Sequence, residues 1–109
     1  MAQFFLDQTN NGGETTVHVG DEIRVALAEN GSTGYRWQVS LEGDGLKQIV
    51  STYDADGAVR PGEGGKRNFI LRAEVAGATT IDARSVRSWR PQQASGSFRH
   101  LVRIMSDLG

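Results

Sequence analysis

Apolar and polar residues alternate with a period of two along most of this chain, and no segment sustains a helical period. "EIRVALA" places Ile23, Val25 and Leu27 on one face, and "YRWQVSL" does the same with Tyr35, Trp37, Val39 and Leu41. "NFILRAEV" aligns Phe69, Leu71, Ala73 and Val75, "TTIDAR" aligns Thr79, Ile81 and Ala83, and "FRHLVRI" aligns Phe98, His100, Val102 and Ile104. "QFFL", "TTVHV" and "KQIVSTY" are shorter candidates. Gly, Asn and Asp clusters separate them at "NNGG", "VGDE", "EGDG" and "VAGA". Short strands at this spacing make an all-β sandwich or barrel.

The 109 residues suit one domain spanning 1–109, with no internal repeat and no linker long enough to divide it. The net charge of -1 gives no electrostatic reason to expect nucleic acid or an anionic membrane as partner. The charge is uneven: Arg84, Arg87, Arg90, Arg99 and Arg103 crowd the last third, while Asp7, Glu14, Asp21, Glu22, Glu29, Glu42 and Asp44 dominate the first half. Solvated strand faces and loops are the preferred reading over a basic docking patch. With no cysteine, the chain has no disulfide, no thiolate nucleophile and no Cys-based metal site. No apolar run reaches membrane-spanning length, and no basic-then-apolar leader opens the chain. The compartment is expected to be periplasmic or extracellular if Met1 was added to a trimmed export product, and cytoplasmic otherwise.

Three segments do not look like simple connectors: "NGSTGY", "DADGAVRPGEGGKR" and "RSVRSWRPQQASGS". Two strands separate the first from the second, and two more separate the second from the third. If each strand crosses the domain once, an even number returns the chain to the end it left, so all three loops meet at one end. Loops gathered on a rigid β scaffold are a common recognition surface.

Catalytic material is scarce. His18 points outward on an alternating strand and His100 falls on the Phe98/Val102 face, so both are read as structural or surface residues. Two isolated histidines make no zinc site. "DADG" lacks the later oxygen ligands of a calcium loop. "RPGEGGK" has Arg60 where a phosphate loop needs glycine, is followed by Arg67 instead of Ser or Thr, and leads into a strand. No metal or cofactor is expected. Trp37 shares its face with core residues and is read as packing. Trp89, between arginines in "RSWRP", has no alternating apolar neighbours and is read as a binding anchor.

The three loops together resemble those of the chagasin-like inhibitors of papain-family cysteine proteases. That family carries an Asn-Pro-Thr-Thr-Gly-Tyr/Phe loop, a Gly-x-Gly-Gly loop and an Arg-Pro-Trp/Phe loop, in this order. Here Asn30, Gly31, Ser32, Thr33, Gly34 and Tyr35 stand at the first, followed by Trp37. Gly62, Glu63, Gly64 and Gly65 stand at the second, and Arg87, Ser88 and Trp89 at the third. Gly31 and Ser88 replace family prolines, and each removes a restraint on φ. The resemblance implies an immunoglobulin-like β-sandwich of about seven to eight mostly antiparallel strands, as the eight candidate segments allow. It implies a reversible, non-covalent inhibitor whose partner is a papain-like cysteine peptidase, acting as a monomer and not as an enzyme. Ser32, Thr33 and Gly34 would cover the catalytic Cys/His pair, Gly62 to Gly65 would lie extended along the enzyme, and Trp89 with Arg87 would anchor the far side. The alternative is a non-inhibitory β-sandwich module that binds carbohydrate or a surface protein with the same loop end.

Overall fold

The computed structural model describes residues 2–29, 33–54, 65–87 and 89–106, with Pro91 and Gln92 described along the backbone only. The alternating segments form strands: β1 Gln3–Leu6, β2 Glu14–His18, β3 Glu22–Glu29, β4 Tyr35–Glu42, β5 Leu46–Asp54, β6 Gly65–Ala73, β7 Gly77–Arg87 and β8 Arg90–Met105. They make two four-stranded sheets, ordered β1-β3-β6-β5 and β2-β8-β7-β4. Only β1 on β3 and β2 on β8 pair in parallel among the described strands; every other pair is antiparallel. The expected immunoglobulin-like β-sandwich is therefore the observed fold. Among the described residues no helix is long and apolar enough to cross a membrane.

Alternation explains the layering. The inward residues of β3 (Ile23, Val25, Leu27) face those of β7 and β8 (Ile81, Ala83, Phe98, Val102), and all are buried. Removing each large apolar side chain from water stabilises the fold by about 1.5–3 kcal/mol. His100 shares this face and is 2% exposed. Its Nδ1 lies 2.7 Å from the Asn10 carbonyl oxygen, which can only accept, so Nδ1 carries a proton. Nε2 lies 2.7 Å from the Thr15 hydroxyl, which donates to it in the neutral ring.

The segment "RSVRSWRPQQASGS" differs from its reading as a loop. β7 runs through Arg87 and β8 starts at Arg90, so nearly all of it is a long hairpin. Ser and Gly punctuate sequences because they suit turns, but here their small size serves packing. Trp37, Ser85 and Gly96 are cross-strand neighbours in one row. A Cβ at Gly96 would lie 3.3 Å from the Trp37 ring, so the row holds one large residue and two small ones. The register slips between Ser85 and Val86, leaving Ser95 as an extra residue. Its hydroxyl lies 3.1 Å from that of Ser85.

Part of the charge asymmetry along the sequence is cancelled in space. Arg99 pairs with Asp82 at 2.7 Å and with Glu42 at 3.2 Å, and Arg103 pairs with Glu14. These are exposed cross-strand pairs, each worth little to stability.

Asp21, 7% exposed, closes the opposite end of β3. Its carboxylate accepts the Ala2 and His18 backbone N–H groups, both at 2.9 Å, and these bonds hold its pKa below the ordinary 3.8. The unfolded chain therefore takes up this proton at higher pH than the folded one. The stabilisation is complete above the ordinary value and is lost as pH falls through the folded pKa. Asp21→Asn is expected to melt at lower temperature than the parent near neutral pH. The gap should close as melting is followed from about pH 5 down to about pH 2.

Candidate functional site at the loop end of the sandwich

The residues that flank the three loops meet at one end, as strand parity requires. Glu29 is opposite Gly65, Asp54 opposite Lys66, and Tyr35 opposite Arg87, which itself faces Arg90. Asn30, Gly31, Ser32, Gly62, Glu63, Gly64 and Ser88 lie outside the described residues, as does the rest of 55–64 with the calcium-like and phosphate-like stretches. Thr33, Gly34, Tyr35, Gly65, Arg87 and Trp89 are described.

A buried ion pair closes the sandwich beneath these loops. Glu29 continues the inward face of Ile23, Val25 and Leu27, and its side chain is 2% exposed. Arg67 continues the inward face of Phe69 and Leu71. Its Nη2 meets Glu29 Oε2 at 2.8 Å, and its Nε lies 3.2–3.3 Å from both carboxylate oxygens. Glu29 Oε1 also accepts the Trp37 backbone N–H at 2.7 Å. The Trp37 indole N–H donates to the Ala28 carbonyl at 2.8 Å, and the Tyr53 hydroxyl donates to the Glu29 carbonyl at 3.3 Å. Arg67 lies 5.6 Å from the centre of the Tyr53 ring. Glu29 thus ties β3 and β6 of one sheet to β4 of the other. The sequence reading missed this pair, because Glu29 was placed among solvated acids and Arg67 was weighed only as a phosphate-loop position. Face parity was the signal that could have found it: each is a charge at an inward position.

A second cluster ties the first loop to the third. The Arg87 guanidinium lies 4.3 Å from the Tyr35 ring centre and 5.7 Å from that of Trp89. Arg87 Nε–H donates to the Thr33 carbonyl at 3.2 Å. The Thr33 hydroxyl accepts the Tyr35 backbone N–H at 3.3 Å. Gly34 has φ +79°, and a Cβ there would lie 2.7 Å from the Trp89 ring. Glycine is needed here on two counts, the positive φ and the close approach of the protein's own Trp89. Trp89 nonetheless stays 64% exposed, whereas Trp37 is 7% exposed in the core. The indole is thus positioned from one side and presented to solvent on the other.

Among the described residues no acid–base constellation accompanies this edge. His100 is opposite Ile81, six residues along β7 from Arg87, about 20 Å away at strand rise. Among the described residues no group of three or more His, Cys, Asp or Glu side chains could hold a metal ion. The arrangement offers contact surface, aromatic and cationic, without a nucleophile and base.

The family model described as Chagasin family peptidase inhibitor matches residues 16–102. No curated protein matches the sequence. Among solved structures, the cysteine protease inhibitor EhICP2 from Entamoeba histolytica superposes with a TM-score of 0.83 at 25% identity, covering 96% of this chain and 97% of that one. The solution structure of amebosin gives 0.79 at 29% identity, covering 94% and 98%. PbICP-C, solved in complex with falcipain-2, shares the fold with a TM-score of 0.60 at 17% identity, covering 95% and 99%.

Glu29→Ala leaves Arg67 without its carboxylate and the Trp37 N–H without an acceptor. Urea unfolding is expected to show a loss on the order of 3 kcal/mol. Glu29→Gln, which keeps an acceptor for Trp37, should lose less, and adding Arg67→Leu to Glu29→Ala should recover part of the loss.

Proposed function

This chain belongs to the chagasin family of peptidase inhibitors, and we propose that it blocks papain-type, cathepsin L-like cysteine peptidases by seating its loop end in their active-site cleft. It is an inhibitor of cysteine peptidases and not an enzyme. The observation that carries the finer reading is the Tyr35–Arg87–Trp89 cluster packed against Gly34, which presents an exposed indole beside the first loop.

The physical logic is preorganisation. A loop that is already held loses less entropy when it binds, so more of the contact energy appears as affinity. Arg87 bridges the Thr33 carbonyl and two aromatic rings, so the described part of the first loop and the third loop move as one edge. Ser32, Thr33 and Gly34 cover the catalytic Cys/His pair of the target, and Gly34 keeps this edge thin. Gly62 to Gly65 run along the enzyme and exchange backbone hydrogen bonds with it, their glycines adding no bulk. Trp89 stacks on the far wall of the cleft. The inhibitor acts as a monomer and binds reversibly, since it forms no bond with the catalytic thiolate.

Papain and cathepsin L-type enzymes hydrolysing a fluorogenic peptide test this directly. Sub-micromolar protein is expected to slow turnover, and Trp89→Ala to weaken inhibition by about 2 kcal/mol, roughly 30-fold. Full enzyme activity at tens of micromolar inhibitor, across several such peptidases, would overturn the reading.

A further inference from the structure

Below Trp89, the solvent-facing side of the β4–β7 pair carries a groove that continues from the loop edge down the strands. Its upper part, about 230 Å³, is lined by Gly34, Arg36, Gln38, Val86 and Trp89. The lower part, about 330 Å³, shares Gln38 and Val86 and extends to Ser40, Asp82 and Arg84. Val86 faces outward opposite Arg36, yet it is 3% exposed and forms an apolar floor. Arg36 and Arg84 form the walls.

Charge is distributed unequally along this face. At its lower end Arg99 is neutralised by both Asp82 and Glu42. Nearer the loops, Arg36 and Arg84 are exposed, and among the described residues neither makes an ion pair. Arg84 is three residues from Arg87 along β7, about 10 Å at strand rise. That distance is about one Debye length at 0.1 M salt, so a body seated on Trp89 feels these charges. A guanidinium suits a carboxylate, which it can grip through paired N–H donors, and each part of the groove offers one, Arg36 above and Arg84 below. The groove is open and continuous with the Trp89 edge, so its occupant is part of whatever that edge holds.

We propose that this groove docks an acidic surface segment of the target peptidase beside its cleft, with Arg36 and Arg84 steering association and setting preference among peptidases. The proposal rests on the inhibitor reading of the loop end. It assigns binding work to two strand residues outside the three loop motifs that the family shares.

The test uses the peptidase that the parent protein inhibits most tightly among several papain-type enzymes. Association rates are measured by stopped-flow fluorescence at low and high salt, with melting curves to check folding. Arg36→Glu combined with Arg84→Glu is expected to slow association about tenfold near 20 mM salt, shrinking to under about threefold near 500 mM. Arg36→Gln with Arg84→Gln should fall between, and it carries the test if the reversed pair fails to fold. Parent-like association at low salt in the folded variant, with Trp89→Ala still weakening inhibition, overturns the groove and leaves the loop edge standing. If the parent inhibits none of the enzymes, the loop-edge reading falls and this proposal falls with it.

Discussion

The loop end depends on the Glu29 carboxylate. Three loops can act together only if the strands that launch them are held in one frame, and two sheets of a sandwich have no backbone bonds between them. Glu29 supplies that link, gripping Arg67 within its own sheet and the Trp37 backbone across the gap. A buried ion pair is weak evidence for stability, since desolvation offsets much of its attraction. Its value here lies in specificity of geometry: the accepted bonds fix where β3 ends and β4 begins. The first loop is the connection between those two points.

Above that frame, the binding edge is organised by contacts that the protein makes with itself. Arg87 is placed by Tyr35 and the Thr33 carbonyl, and it sits beside the Trp89 ring. The absence of a side chain at Gly34 lets that ring lie against the backbone. The prolines that the family uses at positions 31 and 88 would stiffen each loop separately. In this chain the described residues achieve order by cross-linking the loops to one another.

Alternation made the strands legible, and parity placed the loops at one end, because both follow from geometry that any strand must obey. The role of Trp37 was legible too, since its neighbours on the face are apolar. Three features were harder to read. Ser85 and Gly96 read as turn residues because the space they leave for Trp37 is a tertiary fact. Glu29 reads as a solvated acid and Arg67 only as the position after a phosphate-loop look-alike, because their pairing joins residues 38 positions apart. The acidic first half and basic last third read as an asymmetry because the strand pairings that bring Glu14 to Arg103 and Glu42 to Arg99 are invisible along the chain.

The extra residue at Ser95 has a mechanical meaning. In a strand, parity decides which side of the sheet each residue faces, and one inserted residue reverses it for everything beyond. The β7–β8 hairpin carries Trp89 at its tip, past that slip in register. A second slip follows between Val86 and Arg87, so β8 carries more residues than β7 along the arm that leads to the tip. The surplus lies wholly on the β8 side, so a residue gained or lost near position 95 would re-register β8 against β7 while leaving the β7 side of the Trp89 edge, where Tyr35 is opposite Arg87, in place.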